Sequence, residues 1–290
     1  MRVMLAPMMG VLVGAALLTT PVKADDFYKE AKPLFENCAD GSYDRAVKDG
    51  ITIGVSNVSP HSFIDPKTNQ PAGVDVEINQ AAADWLGIKN VKFEWLPWES
   101  QIPSLLSKRT DVVGTNIHIN PERVKVITFS GPAWWYGPVL LVQKGNPDGI
   151  KSYEDVKGKE VGAVAGSAAE AYLRNHDSKT VLFEAQNEEL QSLNQGRIKY
   201  ALEDDVVFSD FARTAPDNKI DALSSIPVPT EITYGGGYGY ARYAFRPDDC
   251  QLRVAYTQAL AELRGNGHVS AILAKYGLSD RNLVWYTLKP

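Results

Sequence analysis

The chain has 290 residues, 30 basic against 35 acidic side chains, a formal net charge of −5 and 44% hydrophobic residues. That balance provides neither the basic footprint of a nucleic-acid binder nor a polybasic membrane patch, and the composition is that of an ordinary globular protein. No G-x-S-x-G, H-E-x-x-H or P-loop pattern occurs, so hydrolase, zinc peptidase and nucleotidase chemistries lack their signatures.

Residues 1–24 carry Arg2, the apolar run Val11 to Leu18 and the small-residue ending Val22-Lys23-Ala24, the pattern of a secretory signal peptide. The run is too short for a ~20-residue membrane span and no other segment reaches that length, so a soluble, periplasmic mature protein is expected. Losing Arg2 and Lys23 leaves 28 basic against 35 acidic side chains, a mature net charge of −7. All four methionines fall within the first ten residues, so the mature chain has none to fill core gaps or bind a soft metal. The roughly 265 remaining residues exceed what one compact core usually supports, so two lobes are expected, and no period of about 20–50 residues suggests a repeat array. Export permits a disulfide between Cys38 and Cys250 and argues against a cytosolic redox centre, while the lack of a nearby His pair makes them a poor zinc site. If formed, that bond ties the N-terminal extension to the C-terminal part of the chain.

After an acidic leader from Asp25 to Asp49, Ile51 to Val55 reads as a buried strand followed by a Ser/Asn/Pro loop. Val74, Ile78, Ala81, Ala82 and Trp85 fall on one face of a helix that Gly87 terminates. Val91 to Trp95 is the next strand, Ile102, Leu105 and Leu106 mark a helix, and Asp111 to Gly114 gives a third strand. Strand and helix alternating this way imply a parallel sheet with helical cover. From Pro138 a second set begins. Val139 to Val142 and Val161 to Val164 are strands, a helix runs from about Ala168 to Arg174, and Val181 to Phe183 precedes a helix near Glu188 to Leu193. Tyr200 to Leu202 is a further strand, ending at Glu203-Asp204-Asp205. The Gly-rich stretch Tyr234 to Tyr240 reads as a strand leading into two helices broken at Gly265-Asn266-Gly267, and this helical ending suits a return to the first lobe. The expected division is residues 25–137 and 238–290 in one lobe and 138–237 in the other, with a two-strand hinge near Gly137 and Gly237.

Val112 and Val113 read as the end of a buried strand and Pro121 suits the first turn of a helix, which sets Arg123 where chain ends meet a crevice. Its planar fork of donors is suited to a carboxylate. Taken alone, an Arg here more often pairs with a surface acid such as Glu122. The block from Asp111 to Ser130, however, resembles the strand, "T-x-x-R" turn and "FS-x-P" segment of periplasmic amino-acid-binding proteins, the family 3 solute receptors of ABC importers. The resemblance runs from about Gly50 to Gly277. It implies an α/β fold of the type II periplasmic-binding-protein kind, no cofactor, a small zwitterionic ligand, a membrane permease as partner, no nucleic acid, and a monomer.

A zwitterion needs a cation for its carboxylate and an acid for its ammonium once water is excluded. Arg123 is the expected cation. Gln195 to Asp204 resembles the family's "G-R-x-D-A-x-x-x-D" segment, whose last Asp takes the ammonium, so Asp204 is the expected acid and Asp205 the cap of the following helix. Gly166-Ser167-Ala168 matches "V-G-x-x-x-G-S/T", a loop whose backbone N–H groups reach the same carboxylate. Asn116 and His118 alternate after the strand and are expected to point the same way. His118 departs from the small Ser or Thr of the resemblance, and its imidazole either contacts ligand, with a pH-dependent consequence, or sits half-exposed beside the hinge. His61 and Phe63 lie where the family shows an aromatic followed by "x-P-F". Trp98, in "L-P-W-E-S-Q-I-P-S-L", either packs on the ligand side chain or anchors the next helix. Of Trp134, Trp135 and Tyr136, at most one is assigned to the pocket.

Lys144 to Pro147, Lys151 to Asp155 and the Cys250 region look like ectoine-binding members, so an ectoine-like solute stands beside a polar amino acid. Periplasmic cyclohexadienyl dehydratases resemble these receptors throughout. In that alternative Glu203 or His118 supplies general acid–base chemistry. A role as partner of a chemoreceptor or sensor kinase would use the same pocket.

Overall fold

A computed structural model describes residues 38–232, 238 and 242–283. The signal-peptide reading of residues 1–24, the Gly-rich strand read at Tyr234 to Tyr240 apart from Tyr238, and the second hinge crossing near Gly237 lie outside the described residues.

The first lobe grows from alternating apolar strands and amphipathic helices. Helix α1 (Ser42–Asp49) leads into β1 (Ile51–Val55), a short hairpin of β2 (Phe63–Ile64) and β3 (Pro71–Ala72), and α2 (Val74–Trp85). Then follow β4 (Val91–Trp95), α3 (Gln101–Leu106), β5 (Val112–Ile117) and β6 (Thr128–Phe129). Strand β1 pairs in parallel with β4 and β5, its Ile51, Ile53 and Val55 buried against Val74, Ile78 and Ala82 of α2.

The third strand is longer than its apolar residues announce. Val112 and Val113 begin β5 rather than end it, so Asn116 lies inside the strand and His118 just beyond. Backbone groups and the Thr115 hydroxyl are satisfied there, while the Asn116 side-chain amide has no partner among the described residues. The Asn79 amide donates to the Gly114 carbonyl at 3.0 Å, the Thr115 hydroxyl accepts from Ser56 N–H at 2.7 Å, and Asn116 N–H donates to Asp75 at 2.9 Å. Pro121 opens no α-helix; Arg123 sits in a single 3-10 turn, Arg123–Lys125.

The second lobe contains β7 (Pro138–Gln143), β8 (Glu160–Val164), α4 (Ala168–Arg174), β9 (Lys179–Phe183), α5 (Gln186–Asn194), β10 (Tyr200–Asp204), α6 (Asp205–Thr214) and β11 (Ile220–Ala222). Its sheet order is β11-β7-β10-β8-β9; β8 runs parallel to β9 and β10, whereas β7 is antiparallel to β10 and β11.

The return to the first lobe includes a strand as well as helices. Strand β12 (Arg242–Phe245) inserts antiparallel between β5 and β6, giving the order β4-β1-β5-β12-β6. Both sheets are therefore mixed rather than wholly parallel. Helices α7 (Cys250–Gly265) and α8 (His268–Lys275) then pack on α1 and α2. Cys38 and Cys250 are joined in a disulfide with Cα atoms 5.2 Å apart, and Ser42 Oγ accepts from Leu252 N–H beside it.

Candidate functional site

The site forms where the loops of both sheets face each other. In the first lobe, the loop after β1 is held down on the N-terminus of α2: the Pro60 and His61 carbonyls accept from Val74 and Asp75 N–H at 2.9 and 2.8 Å. Gly73 permits that approach. Its φ is +117°, and a Cβ there would lie 2.5 Å from the His61 carbonyl oxygen.

Asp75, fully buried in the first turn of α2, gathers four donors. Its Oδ1 accepts from Trp134 Nε1 at 2.8 Å and Tyr243 OH at 3.0 Å, and its Oδ2 from Asn116 N at 2.9 Å and His61 Nδ1 at 3.0 Å. An acceptor-only carboxylate on Nδ1 makes that nitrogen a donor, so it is the unprotonated ring alone that presents Nε2 as an acceptor. Nε2 is buried, has no partner among the described residues, and belongs to a ring that lines the cavity between the lobes.

Asn120 Oδ1 caps the turn that carries Arg123, accepting its N–H at 2.7 Å. The Arg123 side chain is buried. Its guanidinium lies 5.7 Å from the Trp98 ring centroid and donates to the His118 carbonyl and, across the cleft, to the Gly166 carbonyl, each at 2.7 Å. Burial pulls this group down to about 10, which leaves it charged at neutral pH.

Across the cleft, Asp204 ends β10 at the N-cap position of α6, but its side chain makes no capping bond. Burial, then the neighbouring Glu203 charge, pushes its carboxyl well above the usual range, with His61 and a hydrogen bond to Tyr238 opposing. Asp205 is not the cap expected of it. It is the first helical residue, and it is tied to the chain crossing: its N–H donates to the Gly137 carbonyl at 2.8 Å and its Oδ1 accepts from Gly137 N–H at 3.1 Å.

A cavity of about 470 Å³, including its opening to solvent, brings together His61, Trp98, Asn116, His118, Arg123, Ser167, Ala168 and Asp204. Two expected residues behave differently. Phe63 does not line it; half-buried in β2, its ring packs edge-on against Tyr276, 6.1 Å between centroids. Gly166 faces Arg123 with its carbonyl, because its N–H is taken by Glu170 Oε2 at 2.6 Å. Ser167 caps α4, its hydroxyl accepting from Glu170 N–H at 3.1 Å.

Of the Trp134-Trp135-Tyr136 run, only Tyr136 lines the cavity. His118 is buried between Tyr136 and Tyr238, at centroid distances of 4.5 and 4.3 Å. The pocket also takes Tyr238, Gln186 and Glu203, which sequence reasoning did not assign to ligand binding. Glu203 directly precedes Asp204, and that adjacency was the one available signal. Among the described residues, no group of three or more His, Cys, Asp or Glu side chains is arranged to hold a metal ion.

Two α/β lobes facing each other across a cleft, with a buried cation on one side and an acid on the other, define a solute receptor of the type II periplasmic-binding-protein fold. The chain belongs to the bacterial extracellular solute-binding proteins, family 3, whose profile matches residues 51–279. It is 29% identical over 238 residues to the lysine/arginine/ornithine-binding periplasmic protein of Escherichia coli (strain K12), covering 80% of this chain and 88% of that one. An ancestral arginine-binding protein bound to arginine superposes with a TM-score of 0.67 at 28% identity, covering 78% of this chain and 97% of the other. AncCDT-1, described as an ancestral amino-acid-binding protein and a precursor of cyclohexadienyl dehydratase, gives 0.68 at 26% identity, covering 81% and 98%.

Proposed function

We propose that this protein is the periplasmic receptor of an ABC importer, closing two lobes over a polar amino acid or an amino-acid-derived zwitterion and delivering it to a membrane permease. The observation that carries this reading is the meeting of Arg123 and Asp204 in one cavity from opposite lobes. Closure gains affinity only when a ligand touches both sides. Each terminal nitrogen of Arg123 retains a second N–H beside the one given to a carbonyl, so the guanidinium can still fork a ligand carboxylate. Asp204 takes the ammonium, and the buried Asn116 amide and His61 Nε2 complete its surroundings. His118, Tyr136, Tyr238 and Trp98 wall the ligand side chain. Residues 25–137 and 238–290 form one lobe, residues 138–237 the other, and the receptor works as a monomer after its leader is removed.

Binding without turnover is expected. A dehydratase needs an acid or base aimed at its substrate, and the relatives favour capture: even the neighbour linked to that enzyme is described as an amino-acid-binding precursor. The test is calorimetric titration of ligand-stripped protein with single amino acids, ectoine and prephenate. Saturable binding of one zwitterion class supports the receptor. Conversion of prephenate, or no binding by any zwitterion, overturns it.

A further inference from the structure

Arg123 touches the second lobe directly. One N–H of its guanidinium holds the His118 carbonyl of its own lobe, and another donates across the cleft to the Gly166 carbonyl at 2.7 Å. Both bonds join protein groups alone, so the second links the lobes whatever occupies the cavity.

The corner that receives this bond is built as an acceptor. Gly166 has φ +72° and sits third in a turn that Ser167 N–H closes on the Val164 carbonyl at 3.1 Å, a position that suits glycine. Three consecutive N–H groups there are engaged within the second lobe: Ala165 N–H by the Phe183 carbonyl at 2.9 Å, Gly166 N–H by Glu170 Oε2 at 2.6 Å, and Ser167 N–H by Val164. Glu170 is itself fixed, its N–H donating to Ser167 Oγ at 3.1 Å and its Oε1 accepting from Arg174 at 3.3 Å. What Gly166 turns toward the first lobe is therefore a carbonyl, where the sequence pattern predicts N–H donors for a ligand carboxylate. Trp98 covers the contact from the first lobe. A Cβ on Gly166 would lie 3.7 Å from the Cδ1 and Nε1 atoms of that ring, and the guanidinium stands 5.7 Å from the ring centroid. A charge-assisted hydrogen bond under such cover is stronger than one open to water.

We infer that Arg123 is a strap between the lobes as well as a ligand contact, keeping a closed conformation populated before solute enters, and that Glu170 is the positioning residue that leaves the Gly166 carbonyl to receive it. This goes beyond the receptor reading and rests on it only for the movement of the two lobes. Each terminal nitrogen of Arg123 keeps a second N–H, so an arriving carboxylate joins the strap rather than displacing it. Solute enters the open fraction alone, and its contacts then add to a closure already begun.

The experiment reads the interlobe distance of ligand-stripped protein by double electron–electron resonance, with the Cys38–Cys250 disulfide left oxidised. Spin labels go on Ser107→Cys, just after α3, and Asn175→Cys, just after α4, both exposed and outside the cavity lining. A short, closed distance is expected to be populated in the labelled protein with no further change. Arg123→Ala should lower the ratio of short to long distance at least about tenfold, the effect of losing one charge-assisted hydrogen bond. Glu170→Ala should lower the ratio severalfold, and Glu170→Gln, whose amide oxygen still accepts the Gly166 N–H, should restore it. Both variants lose the Arg174 ion pair, so the difference between them reads the Gly166 contact and not a general weakening of α4. A single long distance before any replacement of Arg123, or a ratio that Arg123→Ala leaves unchanged, overturns the strap. Equal ratios in Glu170→Ala and Glu170→Gln overturn the part given to Glu170. If the distance is long until an amino acid or ectoine is added and short thereafter, the strap is refuted and the receptor stands; if no such solute alters a long distance, the receptor reading falls as well.

Discussion

Replacing Asp75 by Asn tests whether one buried carboxylate organises the first-lobe half of the site. The substitution keeps the shape, and the retained oxygen can still accept from Trp134 and Tyr243. The new NH₂ then meets two donors, Asn116 N–H and His61 Nδ1–H. His61 can adapt by moving its proton to Nε2, but a backbone N–H cannot. The orphaned Asn116 N–H costs about 1–3 kcal/mol, and weakening the remaining charge-assisted bonds adds a similar amount, so a loss of about 2–6 kcal/mol is expected. Against a typical total of about 5–15 kcal/mol the variant still folds and can be measured by urea denaturation without ligand. The tautomer change supplies an independent signature. His61 then offers N–H instead of a lone pair to the cavity, opposing an ammonium, and long-range proton–nitrogen NMR over the four histidines reads it directly. A loss below about 1 kcal/mol, or an unchanged His61 tautomer with unchanged affinity, would refute the account of Asp75 as the organiser.

Arg123→Ala should weaken ligand binding by about 2–5 kcal/mol in calorimetry, since it strands a buried carboxylate, and Arg123→Lys should not restore it because the fork is lost. Glu189 gives a stability trend with a definite sign: the folded state keeps its proton up to about 8 while the unfolded chain loses it near 4.3, so ligand-free stability falls as pH rises between those values. The full effect is on the order of 5 kcal/mol, and Glu189→Gln should make the denaturation midpoint fall less steeply as pH rises from about 5 to 8, with the raised Glu203 and Asp204 supplying the slope that remains. Replacing Cys38 and Cys250 together by Ser should cost about 2–5 kcal/mol without changing ligand affinity, read by thermal unfolding and titration. Phe63→Ala should leave ligand affinity unchanged, because its ring packs on Tyr276 outside the cavity.

Apolar runs such as Ile51 to Val55 and Val139 to Val142 become buried strands, and the stripe from Val74 to Trp85 becomes a helix, because period and burial coincide there. Legibility fails where polar residues are buried by partners distant in sequence. The outer half of β5 holds Gly114, Thr115 and Asn116, whose carbonyl, hydroxyl and backbone N–H respectively are met by Asn79, Ser56 and Asp75, and nothing local announces those partners. Strand β12, four residues long, has no period to read and exists through its pairing with β5 and β6. Arg123, Asp204, His118 and Trp98 were visible because motif spacing placed them. The same spacing pointed to Phe63, which the hairpin of β2 and β3 sets against Tyr276 rather than in the cavity lining. Glu170 could not be foreseen as the acceptor of the Gly166 N–H, because competition for one donor is decided by rotamer rather than by pattern.

The position of β12 also dictates an order of assembly. Residues 138–222 make the second sheet from one continuous stretch and can finish it before the tail of the chain is available. The first sheet cannot. Until residues 242–245 arrive, β5 keeps a bare edge of backbone donors and acceptors, the kind of edge that recruits strands from other chains. The N-terminal half must therefore wait, half-built, for the last fifth of the polypeptide. Interrupted synthesis or a cut within the returning segment would yield a sound second lobe joined to an aggregation-prone first one. The vulnerable interval is the one before the returning strand is in place.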